Sequence, residues 1–257
     1  MKKILLLFAL LGLCVNINAQ SKVRYKNHNL IFNSEIASGN PYTAAASGIL
    51  TGLVNYYLLN DAFFENSFAY SLYSTDDDNL NVRTMNPMGL TAKELFNNLQ
   101  AGVKLGWQTY NPEFWNGGFY ASAHYKLEQF EAGFDNDNMQ THRAQRALFG
   151  VTGLLTLGDM GKSSRVTIEV GVRYSMALAY KSPMGNGKDL LADGFVSHYA
   201  IKLLNRGMWQ NIGVYADINH FNMWKNYDNG KKLNNYTFGI TWTITPQQVE
   251  DIKDWSL

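Results

Sequence analysis

The sequence predicts an all-β chain: a transmembrane, antiparallel, up-and-down β-barrel of ten strands, with eight as the smaller alternative. Three observations predict it. Apolar residues alternate with polar or small ones over runs of nine or more residues. Successive strand side chains face opposite sides, whereas a helix would need apolar spacings of three and four. The five prolines, Pro41, Pro87, Pro112, Pro183 and Pro246, all fall between the runs, as a hydrogen-bonded sheet requires. Finally, short connections alternate with long ones, the pattern of a barrel with tight turns at one end and loops at the other.

In chain order, the first candidates are 29–38, 48–59 and 65–74. The segment 48–59 alternates least, because Ala44 to Leu59 is rich in Ala and Leu and also suits a helix. Next, Leu99, Ala101, Val103, Leu105 and Trp107 alternate with Gln100, Gly102, Lys104 and Gly106. Phe119, Ala121, Ala123, Tyr125 and Leu127 alternate with Tyr120, Ser122, His124, Lys126 and Glu128. The run 144–157 follows. Val166 to Met176 interleaves Thr167, Glu169, Gly171, Arg173 and Ser175, and 193–205 comes after it. Ile212 to Ile218 interleaves Gly213, Tyr215 and Asp217, and Tyr236 to Ile244 interleaves Thr237, Gly239, Thr241 and Thr243.

Short connections are expected at 60–64, 110–116, 158–164 and 206–208, and long ones at 39–47, 75–94, 132–143, 179–192 and 223–233. The long ones carry solvated compositions such as Asp76-Asp77-Asp78 and Asn226-Tyr227-Asp228-Asn229-Gly230. Thr91-Ala92-Lys93-Glu94 fits a capping box, so a helical turn is expected before the strand that begins near 99. An even number of crossings places both termini on the short-turn side.

The chain opens with Lys2-Lys3, an apolar run from Ile4 to Val15, and a small residue at Ala19, which together read as a signal peptide over 1–19. Cys14 follows Leu13, where a lipid-anchor site needs a small residue. Residues 20–28 then form a periplasmic segment, 29–245 the barrel, and 246–257 a periplasmic tail. In the tail, Val249, Ile252 and Trp255 recur every three residues. With 22 Lys+Arg against 21 Asp+Glu, no basic field exists for nucleic acid. A single Cys excludes a disulfide framework and a Cys-based zinc site.

Alternation alone leaves open which face is inside, and a soluble calyx would turn its apolar face inward. The glycines Gly102, Gly106, Gly118, Gly150, Gly171, Gly213 and Gly239 share the polar face. A narrow lumen needs such small residues and a solvated outer face does not. Aromatic residues collect near strand ends (Trp107, Tyr110, Phe114, Trp115, Trp209, Trp224, Tyr236, Trp242), as interfacial girdles do. The lumen is then expected to hold Glu35, Glu128, Glu169 and Asp217 against Lys104, Lys126, Arg173 and Lys202, with His124 and His198. Charges so matched favour a paired, packed interior; an ion-selective pore carries one sign in excess.

Chemistry has little to work with. His198 and Asp217 would be cross-strand neighbours, a base with its orienter, but no serine accompanies them; Ser122 and Ser175 lie on other strands. His220-Phe221-Asn222 resembles the His-x-Ser-Asn of lipid A deacylases of the PagL type, with Asn222 where the serine belongs. Neither His124, His142 and His198 nor the acidic loops have metal-ligand spacing, so no metal and no cofactor is expected.

The last strand, Thr237-Phe238-Gly239-Ile240-Thr241-Trp242-Thr243-Ile244, resembles the signal read by barrel-assembly machinery, carried by Thr237, Gly239, Trp242 and Ile244. With the strand pattern, this makes residues 29–245 similar to the small Bacteroidota-type outer-membrane β-barrel proteins of the OmpA-, OmpX- and OmpW-like class. The resemblance implies an outer-membrane location, contact with lipid and lipopolysaccharide, and assembly by that machinery. It does not imply an activity. The expected role is non-enzymatic: a structural or binding component with a packed lumen, or an accessory subunit of an outer-membrane complex, with other outer-membrane or periplasmic proteins as candidate partners. A narrow solute channel and a lipid-modifying enzyme are the alternatives.

Overall fold

A computed structural model describes residues 28–54, 63–109, 115–133, 138–157, 164–182, 185–205, 212–225 and 232–244. The segments expected to be the signal peptide and the C-terminal tail lie outside these residues, as do most of the short connections.

The strands are β1 (His28–Ser38), β2 (Phe63–Thr75), β3 (Asn81–Thr84), β4 (Leu99–Thr109), β5 (Trp115–Gly133), β6 (Gln140–Leu157), β7 (Ser164–Ser182), β8 (Gly185–Asn186), β9 (Gly194–Asn205), β10 (Ile212–Asn219) and β11 (Leu233–Ile244). Nine of them close a barrel in the order β5-β4-β1-β2-β11-β10-β9-β7-β6, with β6 pairing back to β5. β3 lies outside the ring as an added strand on the upper end of β5, and the two-residue β8 extends β7.

Two expectations are corrected. The segment 48–59 does not give a strand: helix α1 occupies Pro41–Val54, and residues 55–59 lie outside the described ones. The local cause is legible. Asn40 caps the helix, its Oδ1 accepting from the backbone N–H groups of Tyr42 and Thr43. Pro41 opens the first turn, where its missing N–H is harmless. Because a helix replaces this strand, the barrel has nine strands and is not antiparallel throughout. β1 and β2 run parallel, with Asn33 opposite Phe63 and Ser38 opposite Phe68. The chain still makes ten passes along the barrel wall, one of them helical. The start of β1, opposite Thr109, and the end of β11, opposite Phe64, therefore lie at the same end.

Thr91 caps helix α2 (Ala92–Leu95) in a reciprocal capping box with Glu94, as its sequence implied. Asn98 then takes φ 47°, a left-handed conformation that Asn tolerates, and turns the chain into β4. α2 rests on the outer face of β5, where Gln129 Nε2 donates to the carbonyls of Lys93 and Phe96.

Side-chain direction is the decisive feature of the wall. Leu105, Phe119, Val151, Val170, Val172, Tyr199, Ile201, Val214, Phe238 and Ile240 are exposed on the outside, and the charged residues of the same strands are buried inside. A calyx has the reverse arrangement. Near the top of β7 the register shifts between Gln145 and Arg146, so that Leu178 bulges out. The inward row changes parity there, from Arg173 and Ser175 to Tyr180 and Ser182.

Candidate functional site: a filled lumen

The inward rows bring together Glu35, Lys104, His124, Lys126, Glu128, Glu169, Arg173, His198, Lys202 and Asp217, all buried. Two further charges join them. Glu65, at the start of the inward row of β2, and Arg146, in β6, lie where the alternation in sequence is weakest. Five carboxylates therefore face five Lys and Arg side chains.

The charges form two groups. In the lower one, Lys104 Nζ lies 2.9 Å from Glu35 and 3.4 Å from Glu65. Lys202 Nζ lies 2.8 Å from Glu65 and 2.7 Å from Glu169. Glu169 also accepts from the Tyr120 hydroxyl at 2.7 Å, and His124 Nε2 sits 3.1 Å from Glu35. Arg173 pairs with Asp217 at 3.3 Å. In the upper group, Glu128 is held by Lys126 at 2.8 Å, by Arg146 at 3.3 Å and by Asn235 Nδ2 at 2.6 Å. A carboxylate or ammonium buried alone would be prohibitively desolvated; shared among partners on several strands, it holds the walls together.

Glycine supplies the room. A Cβ on Gly150 would sit 2.6 Å from Arg173 Cγ, and one on Gly239 would collide with the ring of Tyr215. The long side chains cross the lumen where the facing wall has none.

Above the charges lies an apolar cap. Phe130 and Leu233 are 0% exposed and pack with Leu80, Tyr180, Leu191, Met223 and Trp224, with Tyr73 and Phe221 alongside. Phe130 stacks on His142 with centroids 5.2 Å apart. Trp224 Nε1 donates to the Tyr180 hydroxyl at 3.0 Å, and that hydroxyl lies 2.6 Å from His142 Nδ1, so the polar tips of these three residues satisfy one another. Loops fasten it: Ala192 N–H donates to Met223 O, Met223 N–H to Leu233 O and Lys225 N–H to Leu190 O. The girdle assignment of Trp224 is thus overturned: it closes the lumen from within. Trp107 and Trp242 do lie on the outer wall, and Tyr110, Phe114 and Trp209 fall outside the described residues.

His198 and Asp217 meet as the register implied, Nδ1 to Oδ1 at 2.6 Å. The second nitrogen of His198 faces Glu169 at 3.5 Å, so carboxylates stand on both sides of it and, among the described residues, no hydroxyl takes the nucleophile's place. Ser175 Oγ instead accepts from Arg146. Asn222 Oδ1 accepts from the backbone N–H groups of Trp224 and Leu233, a loop-fixing role. His220 Nε2 lies 2.7 Å from Ser197 Oγ on the outer face, and no carboxylate orients that imidazole among the described residues. Among the described residues no three His, Cys, Asp or Glu side chains are placed to hold a metal ion. Asp76 and Asp77 accept backbone N–H bonds from Lys232 and Asn79, and Asp135 and Asp137 lie outside the described residues.

In the last strand, Thr237 and Gly239 face inward, Thr237 Oγ1 bonding Ser71 at 3.0 Å, and Trp242 faces outward. Ile244 ends β11. The chain matches no protein-family model, no curated protein and no solved structure, so the role of the lumen rests on its own geometry.

Proposed function

We propose that this chain is an outer-membrane β-barrel that conducts nothing of solute size, a structural or binding component of the membrane or an accessory subunit of a larger outer-membrane complex. One observation carries the reading: charge pairs cross the lumen below, and the Phe130–His142–Tyr180–Trp224 cap lies above them. A pore needs a continuous wet path, and an ion-selective pore carries one sign of charge in excess. Here the charges neutralise one another and the end with the long loops is closed by aromatic rings. Supporting the membrane setting, the outer wall exposes a broad set of Val, Leu, Ile and Phe side chains that a soluble barrel would hide. Its function then resides on surfaces that meet other molecules: the loop end, the tail, or the wall.

A planar-bilayer recording of the purified protein tests this. The expected result is an electrically silent membrane at protein densities where porins give steps. A stable open conductance of porin size rejects the proposal. If conductance appeared and Arg173→Ala changed its selectivity, the narrow-channel alternative would take its place.

A further inference from the structure

We infer that helix α1 is a lipid-embedded element: it lies on the outside of the barrel, and its free face takes the hydrocarbon of the bilayer. The inference rests on the membrane reading above and adds what the wall alone does not give.

The topology requires a return pass. β1 and β2 are parallel neighbours, so the chain must travel back along the wall between Ser38 and Phe63. Its path is outside. Asn66 and Trp242 are cross-strand partners on the outer face, and a Cβ on Gly48 would sit 3.2 Å from Trp242 Nε1 and 3.6 Å from Asn66 Cγ. Ala44, one turn earlier, is 1% exposed. Ala44 and Gly48 thus form a small-residue stripe at i and i+4 that lets the helix backbone approach the wall closely, the device used where helices pack in lipid.

The opposite face is greasy and free: Ile49 is 68% exposed and Leu50 63%, with Tyr42 beside them. No charged residue occurs between Glu35 and Asp61. A helix on a protein surface in water ordinarily carries a charged outer face, and this one carries none. No helix among the described residues is long and apolar enough to cross a membrane. With 14 residues, α1 spans about 21 Å and fits inside an apolar band of about 25 Å. A helix is admissible there because it satisfies its own backbone hydrogen bonds, which an unpaired return strand would not. The occupant is hydrocarbon because this face continues the exposed apolar wall of the barrel.

Spin labels on single-cysteine variants of the mature chain, reconstituted in phosphatidylcholine vesicles, test it. Labels at Ile49 and Leu50 are compared with Val170 and Val214 on the wall and with Asp78 in a loop. Oxygen, which partitions into lipid, should outcompete a water-soluble nickel chelate at Ile49 and Leu50 as strongly as at Val170 and Val214, several-fold above Asp78. Chelate access at Ile49 and Leu50 with lipid access at Val170 and Val214 overturns the inference and leaves the barrel in the membrane. Chelate access at all four positions overturns the membrane reading itself. Shielding of Ile49 and Leu50 from both reagents means that a second copy covers the helix, and also overturns it.

Discussion

Replacing Asp217 by Asn should be among the most damaging single changes in the lumen, and the size of the loss reports whether that lumen is dry. Arg173 is 0% exposed, and Asp217 at 3.3 Å is its one ion-pair partner among the described residues. The substitution leaves a buried guanidinium without its counter-charge and weakens the grip on His198 Nδ1. Breaking a buried pair in this way costs about 3–5 kcal/mol, whereas a solvated pair is worth about 0–1 kcal/mol. At roughly 1.4 kcal/mol per tenfold, the dry lumen predicts a folding constant lowered by two to nearly four powers of ten. The double variant Arg173→Met/Asp217→Leu removes both charges together and should lose far less than the summed losses of the single variants Arg173→Met and Asp217→Leu. Urea unfolding in detergent micelles, followed by tryptophan fluorescence, measures all four corners of the cycle. An Asp217→Asn variant within about 1 kcal/mol of the parent would mean that water screens the pair, and the packed-lumen argument would be refuted.

Four further outcomes are expected. Phe130→Ala should destabilise the barrel by about 3–5 kcal/mol, as truncation of a fully buried aromatic does; an unchanged unfolding midpoint would deny the cap its role. Gly150→Val, whose first carbon already crowds Arg173, should cost about 1–3 kcal/mol through overpacking, read in the same titration. Bonds from the Thr91 hydroxyl and backbone N–H hold the Glu94 carboxyl below its ordinary 4.5. Its folded pKa is the lower one, so the capping box supports α2 above the unfolded value and is lost as pH falls through the folded one; a titration of the Glu94 carboxyl resonance with a midpoint at or above 4.5 contradicts this. Ser197→Ala and His220→Ala should leave membrane lipid acylation unchanged, and altered lipid profiles would favour the enzymatic alternative.

The barrel itself was legible in the sequence because period-two alternation is local: each run from Leu99 to Ile244 states which residues share a face, whatever its neighbours do. The same parity placed His198 opposite Asp217 and aligned most of the buried charges. Thr91 and Glu94 announced their own cap, since a capping box lies within four residues. What local pattern could not decide came from contacts between distant segments. Ala44 to Leu59 satisfies helix and strand alike, and the close fit of Gly48 against Trp242 and Asn66 belongs to the helical solution that makes nine strands of ten passes. Trp224 looks like a girdle residue until the loop bearing Leu191 and the start of β11 at Leu233 pack against it. The bulge at Leu178 resets which side of β7 is inside, and nothing in the run of residues marks it. Sequence fixes the two faces of each strand because a pleat alternates by geometry. Only the closed wall decides which strands adjoin, which charges meet, and whether the space between them is filled.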